Sequence, residues 1–91
     1  MVNSITLQLG RTVITPGALD TLDQADIPRA LLRHTRGDWG DLDEHDRRAN
    51  DEAIGRKLRI LSAYCDRNGT KFWIITEADR SATTVLLPEE Y

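Results

Sequence analysis

The sequence has little of what several common classes of protein require. It contains one cysteine, Cys65, which cannot form an intrachain disulfide. Its longest wholly apolar runs are a few residues long, whereas a membrane-spanning helix needs roughly 20. No cationic and apolar leader opens the chain, and no glycine-rich loop follows its first predicted strand. We therefore expect a cytoplasmic protein with no membrane contact, no disulfide framework and no cofactor.

The composition is that of an ordinary globular protein. Of 91 residues, 40% are hydrophobic and 30% are charged, so the chain does not have the low hydrophobicity of a disordered segment. A chain this short cannot divide its apolar side chains between two cores. We predict a single globular domain over residues 1–91.

Charge is distributed unevenly along the chain. The net charge of −3 disfavours direct binding of nucleic acid, which needs a basic surface. The segment 38–52, here called the acidic segment, holds seven acids and two arginines and so carries −5. The sequence therefore places one acidic element on a nearly neutral body.

Apolar periodicity and turn residues predict the order of the elements. The alternation of Ile5, Leu7 and Leu9 with polar residues is typical of a strand with one buried face. Three helix starts follow, at Thr15, at Asp26 and at the capping-box pattern of residues 41–44. From Leu58 onward, runs rich in β-branched and apolar residues predict three further strands.

Two turns define how the last three strands pair. Asn68-Gly69 favours a two-residue hairpin, which would set Tyr64 opposite Trp73. A second turn is predicted at Ala78–Ser81. We therefore expect an α+β fold in which three helices pack on a three- to four-stranded antiparallel sheet, in the order β-α-α-α-β-β-β.

The three C-terminal strands carry apolar residues on both faces of the predicted sheet. With the hairpin register above, the second face would comprise Ile60, Tyr64, Trp73, Ile75 and Leu86. An antiparallel sheet that is covered on one side normally alternates with polar residues. Either a partner, a homodimer included, covers this face, or the N-terminal strand and loops do.

The stretch "RHTRGDWGDLDEHDRRAND" gathers residues that are capable of binding metal. His34, Asp38, Asp41, Asp43 and His45 offer suitable ligands for a divalent ion, but their spacing matches no known metal motif. The alternative is that the aspartates organise turns and helix caps while the other acids are solvated. We predict no metal site.

Trp39 and the turn "TEADRS" each permit two interpretations. Trp39, between two glycines, is either an exposed interface anchor or a plug that folds its loop onto the core, which we favour. Glu77, Asp79 and Arg80 lie around the turn, where they could clamp a phosphate or exchange protons. More often, such residues hold the turn itself.

"GDWGDLDEHDRRANDEAI" and "FWIITEADRSATTVLLPEEY" resemble a family of proteins of about ninety residues from plasmids, integrative elements and bacteriophages. The resemblance extends from "TPGAL" to the C-terminal "LLPEEY". It implies a genomic setting in which small proteins often antagonise or regulate host systems, and it brings no established activity. Some relatives carry labels tied to a type I restriction methylase subunit, which a chain without a cofactor loop does not support.

No group of residues reaches the specificity of a catalytic motif, so we expect a non-enzymatic protein. The leading hypothesis is a binding protein of a mobile element that acts on another protein, such as a host defence or DNA-handling protein, through the acidic segment. The alternative is a small metal-dependent or phosphate-handling enzyme using "HTRGDWGD" or "TEADRS". The predicted partner-binding residues are Trp39, Asp41, Asp43, Glu44, Asp46, Glu52, Glu77, Asp79 and Arg80.

Overall fold

The structure is a computed structural model, and it describes residues 7–91. The elements, in chain order, are β1 (Arg11–Ile14), α1 (Pro16–Thr21), α2 (Asp26–Thr35), α3 (Glu44–Arg56), β2 (Ile60–Cys65), β3 (Lys71–Thr76), β4 (Ala82–Leu86) and a short 3-10 helix (Pro88–Glu90). The fold is α+β, and the predicted order β-α-α-α-β-β-β is confirmed.

The four strands form one sheet in the order β1-β4-β3-β2. The strands β2, β3 and β4 pair antiparallel, as predicted, whereas β1 pairs parallel to β4. The expectation of a purely antiparallel sheet was therefore wrong. A tight hairpin imposes antiparallel pairing on consecutive strands, but β1 connects to β2 through three helices, and such a connection allows either direction.

The first strand lies further along the chain than its alternating pattern predicts. Ile5 lies outside the described residues. Leu7 is buried, and its N–H donates to the carbonyl of Thr35 at 2.8 Å, so the backbone of Leu7 pairs with a helix end rather than with a strand. Gly10 then turns the chain with φ +64, and a Cβ there would lie 2.4 Å from the carbonyl oxygen of Arg80. Pairing begins only after this turn.

The hairpin between β2 and β3 differs from the prediction by one residue. Tyr64 pairs with Phe72, and Ala63 pairs with Trp73. The carboxylate of Asp66 accepts the N–H groups of Asn68 and Thr70, and Gly69 alone in this loop has positive φ. The loop therefore has three residues rather than two. A shift of one residue changes which side chains share a face. Ile60 and Tyr64 therefore lie on one face of the sheet, and Trp73 and Ile75 lie on the other.

Two helix starts illustrate how local side chains fix the elements. The hydroxyl of Thr15 accepts the N–H of Ala18 at 3.2 Å and caps α1, as predicted. The start of α3 is capped by Asp43, which accepts the N–H of Asp46 at 2.9 Å. The predicted capping box from Asp41 was wrong. Asp41 lies before the helix and alongside β2, where its N–H donates to the carbonyl of Ala63.

The helices cover one face of the sheet. The larger core cluster joins α1 and α2 to the sheet through Ala18, Leu22, Ile27, Ala30, Tyr64, Phe72, Ile74, Val85 and Leu87. A smaller cluster joins Leu7, Trp39, Ala53 and Ile60. Within residues 7–91, no helix is both long and apolar enough to span a bilayer.

Candidate functional site

The second face of the sheet is the surface on which a candidate site can be built, and we call it the open face. The strand registers place on it Val13, Leu61, Ala63, Trp73, Ile75, Thr84 and Leu86. The C-terminal end of the chain reaches this face through Tyr91, whose ring meets that of Trp73. Helix α3 borders the β2 edge of the face, where Leu61 lines a pocket with residues of α3, whereas α1 and α2 pack on the other side of the sheet.

Trp73 and Tyr91 form the aromatic centre of the open face. Their rings meet edge to face, with centroids 5.7 Å apart. The guanidinium of Arg59 lies 5.2 Å from the Tyr91 ring and donates to its hydroxyl at 2.7 Å. Arg59 is itself within 4.0 Å of the carboxylate of Glu77. These contacts place the Tyr91 ring over Trp73.

The exposure of the open face is graded. Ile75 and Leu86 are 3% and 6% exposed and form its floor, whereas Val13 is 41% and Tyr91 is 67% exposed. Trp73 is half-buried. Tryptophan, tyrosine and arginine are the residues that contribute most to binding energy at protein interfaces. The open face has the composition of a small protein-binding surface.

Trp39, predicted as a candidate contact residue, is a core residue. It is 2% exposed, its Nε1–H donates to the carboxylate of Asp51 at 2.9 Å, and its ring meets that of His34 edge to face at 5.7 Å. The interpretation as a plug is confirmed. As a partner-binding residue, Trp39 is wrong, because its side chain does not reach the surface.

Arg80 is held by the protein's own carbonyl groups. Its guanidinium donates to the carbonyls of Leu58 at 2.8 Å and Ala53 at 3.1 Å, which ties the β3–β4 turn to the end of α3. It also reaches the carbonyls of residues 77 and 78 within its own turn. Both terminal nitrogens of the guanidinium therefore bind backbone carbonyls, and Arg80 stabilises the fold at this position.

The two acids of the same turn have different surroundings. Asp79 accepts the N–H of Ser81 at 3.0 Å, and hydrogen bonds from Ser81 hold the pKa of Asp79 below its usual value. Glu77 is half-buried beside Arg59 at the border of the open face. The turn thus brings Glu77, but not Arg80, into reach of a ligand on the open face.

Acids of the acidic segment are spread around α3 and its approach rather than gathered on one face. Asp43 caps the helix, and Glu44 lies 3.5 Å from Arg48. Asp51 binds the indole of Trp39. The predicted contact residues Asp41, Asp43, Glu44, Asp46 and Glu52 are exposed. These five acids are accessible to a partner. Arg47 and Arg48 lie in the same segment and offset part of its negative charge.

The residues proposed as metal ligands are not brought together as one set. Asp43, His45 and Asp46 offer ligand atoms within 4.8 Å of one another, and all three are exposed. Asp38 instead forms an ion pair with Arg33 at 2.7 Å, which holds the pKa of Asp38 below its usual value. His34 is buried elsewhere. Asp43, His45 and Asp46 lie together at the start of α3, where Asp43 already caps the helix.

His34 belongs to a buried polar network that the sequence did not predict. Its Nδ1 contacts the hydroxyl of Ser62, and its Nε2 lies 2.8 Å from the hydroxyl of Thr76. Thr76 lies 2.8 Å from the hydroxyl of Thr83, which donates to the carbonyl of Leu9 at 2.8 Å. The network links α2 to three strands and to the start of the chain.

The carbonyl at the end of this network fixes the direction of the bonds from Leu9 back to His34, because a carbonyl can only accept. Thr83 donates to Leu9, so Thr76 donates to Thr83, and the Nε2–H of His34 donates to Thr76. Burial, together with the charge of Arg80, lowers the pKa of His34 to about 4, so the ring is neutral near pH 7 and its Nδ1 accepts from Ser62.

A serine beside a histidine is also the arrangement of an activated nucleophile. Here both Ser62 and His34 are 0% exposed, so no substrate atom can reach the hydroxyl. The pair is part of the core. One signal for it was present in the sequence: His34 shares the apolar face of α2 with Ile27 and Ala30.

No family model, curated protein or solved structure matches the chain. The origin in a mobile element stays a prediction from the sequence. The functional argument depends on the two surfaces described above, the open face and the acidic segment.

Proposed function

We propose that this chain is a small non-enzymatic binding protein of a mobile genetic element, acting in the cytoplasm on another protein. The observation that carries the proposal is the asymmetry of the sheet. Helices α1 and α2 pack on one face, while the open face exposes Val13 and Tyr91 and leaves Trp73 and Leu61 half-buried. An apolar surface rimmed by polar residues is typical of an interaction site.

The chemistry of the open face favours a protein as the partner. Trp73, Tyr91 and Arg59 combine apolar area with hydrogen-bonding groups, as the central residues of protein interfaces do. Their mutual contacts fix Tyr91 before binding, so less conformational entropy is lost when a partner docks. Glu77 and Arg59 supply a charged border that would orient the partner.

The acidic segment supports a second mode of contact, to a basic site on a host defence or DNA-handling protein. Only Asn50 and Ala53 of α3 are buried, so the helix presents most of its surface to solvent. The acids Asp41, Asp43, Glu44, Asp46 and Glu52 are exposed there. Such a contact would depend on salt, because exposed charges are screened over about 8 Å at physiological ionic strength.

Affinity capture from a bacterial host lysate with immobilised protein, read by mass spectrometry, tests both modes. We expect Trp73→Ala to lose the specific partner, because it removes the aromatic centre of the open face. The matched control is Leu32→Ala, on the outer side of α2, where Leu32 is 51% exposed. This control should retain the partner. Circular dichroism would confirm that both variants are folded.

A triple variant, Asp43→Asn, Asp46→Asn and Glu52→Gln, assigns the acidic segment. Asparagine also caps helices, so α3 should remain intact. Loss of the partner in this variant alone, with a steep salt dependence in the wild type, would assign binding to the acidic segment. Retention of the partner by Trp73→Ala, by the triple variant and by the control Leu32→Ala would contradict both modes.

A further inference from the structure

The two edge strands of the sheet, β1 and β2, differ in whether their outward backbone groups are hydrogen-bonded. Along β2, the N–H of Asp41 donates to the carbonyl of Ala63 at 2.7 Å, and the N–H of Ala63 donates to the carbonyl of Trp39 at 3.2 Å. The side-chain amide of Asn50 binds both the carbonyl and the N–H of Leu61, at 2.6 and 3.3 Å. The β2 edge is therefore covered by the chain itself, as natural proteins do to prevent unwanted strand pairing.

The β1 edge has no such cover among the described residues. The N–H groups of Arg11 and Thr15 donate to the carbonyls of residues 81 and 85, so they point toward β4. Because successive residues of a strand alternate, the N–H and C=O of Thr12 and Ile14 point away from the sheet. No side chain or strand in the described range pairs with these groups, and Val13 between them is 41% exposed.

We propose that the β1 edge pairs with the β1 edge of a second copy of this chain, antiparallel around a two-fold axis at Val13. In that register, Thr12 faces Ile14 of the other copy on both sides of the axis, and each pair exchanges two hydrogen bonds. The two Val13 residues form the central non-hydrogen-bonded pair, where side chains approach most closely. This inference concerns the edge of the sheet and a second copy of the chain, whereas the proposed function concerns the open face and another protein; Val13 belongs to both surfaces.

The sequence of β1 fits a second copy better than an unrelated strand. Arg11 falls opposite Thr15 of the other copy, so no like charges face each other. Two exposed valines are buried against each other. Because Val13 lies on the open face, the two open faces become one surface across an eight-stranded sheet. The covered β2 edge ends the assembly at two copies, which gives a closed dimer rather than a fibre.

The dimer should be weak. A four-residue strand edge buries much less than the roughly 800 Å² per partner of a stable interface, so we expect a dissociation constant on the order of 100 µM. Sedimentation from about 10 µM to about 1 mM should show the change from monomer to dimer.

Substitution of Thr12 tests the geometry. Thr12→Pro removes an outward N–H and leaves the bonds between β1 and β4 in place, so we expect dimerisation to weaken by about tenfold or more. The matched control, Thr12→Ala, keeps the N–H and should dimerise as the wild type does. A melting curve would verify that both variants are folded.

A cysteine at the two-fold axis gives a second readout that is independent of the proline. In a Cys65→Ser background, Val13→Cys should form an interchain disulfide, because non-hydrogen-bonded pairs have Cα atoms about 4.5 Å apart. Leu19→Cys on α1, where Leu19 is 52% exposed, controls for random collision and should cross-link more slowly. The disulfide should appear on non-reducing gels at high protein concentration.

Two results would overturn the inference. One is a monomer at every concentration together with equal cross-linking of the two cysteine variants. The other is a dimer that persists in Thr12→Pro and does not cross-link through Val13→Cys, which would place the contact elsewhere. Neither result changes the expectation for capture of a foreign partner with Trp73→Ala, so failure of this inference can be distinguished from failure of the proposed function.

Discussion

At the residue scale, His34 couples the fold to pH. Burial lowers its pKa from 6.5 to about 4, so the unfolded chain binds more protons than the folded protein between these values. Stability therefore rises with pH across this window. The contribution of the neutral imidazole is complete above about pH 6.5 and is lost as the pH falls to about 4.

We predict that the free energy of unfolding decreases by about 2 kcal/mol between pH 7 and about pH 4.5 because of His34. His34→Gln keeps a donor and an acceptor but does not titrate, so this pH dependence should disappear. His45→Gln, at the exposed histidine of α3, is the control and should retain it. Urea denaturation at the two pH values measures the free energy of unfolding. The same change with pH in the wild type, His34→Gln and His45→Gln would contradict the assignment.

The same residue illustrates how far sequence reasoning extends. The spacing of Ile27, Ala30 and His34 correctly predicts a shared face of α2, and that face is buried. Ser62 could not be predicted as a partner, because the hairpin was placed one residue out of register, and no local pattern indicates that α2 packs over Thr76. A core hydrogen-bond network depends on registers between distant segments, which local patterns do not encode.

At the scale of elements, the segment that covers β2 depends on Gly40. Its φ is +76, and a Cβ there would lie 1.9 Å from the carbonyl oxygen of Ala63. The close approach allows the neighbouring residues to pair with the strand. Any side chain at this position would separate the segment from β2 and uncover the edge.

Gly40→Ala should therefore destabilise the protein by about 3 kcal/mol or more, because it combines backbone strain with a steric clash. Gly69→Ala is the matched comparison: its φ is +83, and a Cβ there would meet nothing within 4 Å. This variant isolates the backbone strain and should cost about 1 to 2 kcal/mol. Chemical denaturation of both variants measures the two effects. Equal losses would show that the clash is relieved at no cost.

The elements themselves were predicted with uneven success, for physical reasons. Thr15 caps α1 as its position before Pro16 indicates, since that signal is purely local. The Asn68-Gly69 pair correctly indicated a turn but not its length, because Asp66 captures the amides of the loop. The direction of β1 could not be deduced, since no tight turn connects it to the sheet.

At the scale of the whole molecule, the prediction of two apolar sheet faces was the most useful for function. Trp73, Ile75 and Leu86 do share the face of the sheet opposite α1 and α2. The members contributed by β2 were wrong: Ile60 and Tyr64 are core residues, and Leu61 and Ala63 take their places. Tyr91 was not predicted to join the surface, because its contact with Trp73 depends on how the chain end folds back.

The acidic segment is a contrasting case at the same scale. Its net charge was evident from the sequence, but the use of individual acids was not. Asp43 stabilises a helix start and Asp51 binds a buried indole, so part of the charge supports the fold. A functional role must therefore come from the remaining exposed acids.

The proposal of protein binding through the open face is tested most directly by the affinity of Tyr91→Ala for the captured partner. Tyr91 is 67% exposed, so its truncation removes contact area with little effect on folding. By calorimetric titration, we predict a dissociation constant about 30-fold higher than that of the wild type, the loss of roughly 2 kcal/mol typical of a central interface residue. Leu19→Ala on α1 should bind as the wild type does. Equal affinities of Tyr91→Ala and the wild type would contradict the proposal.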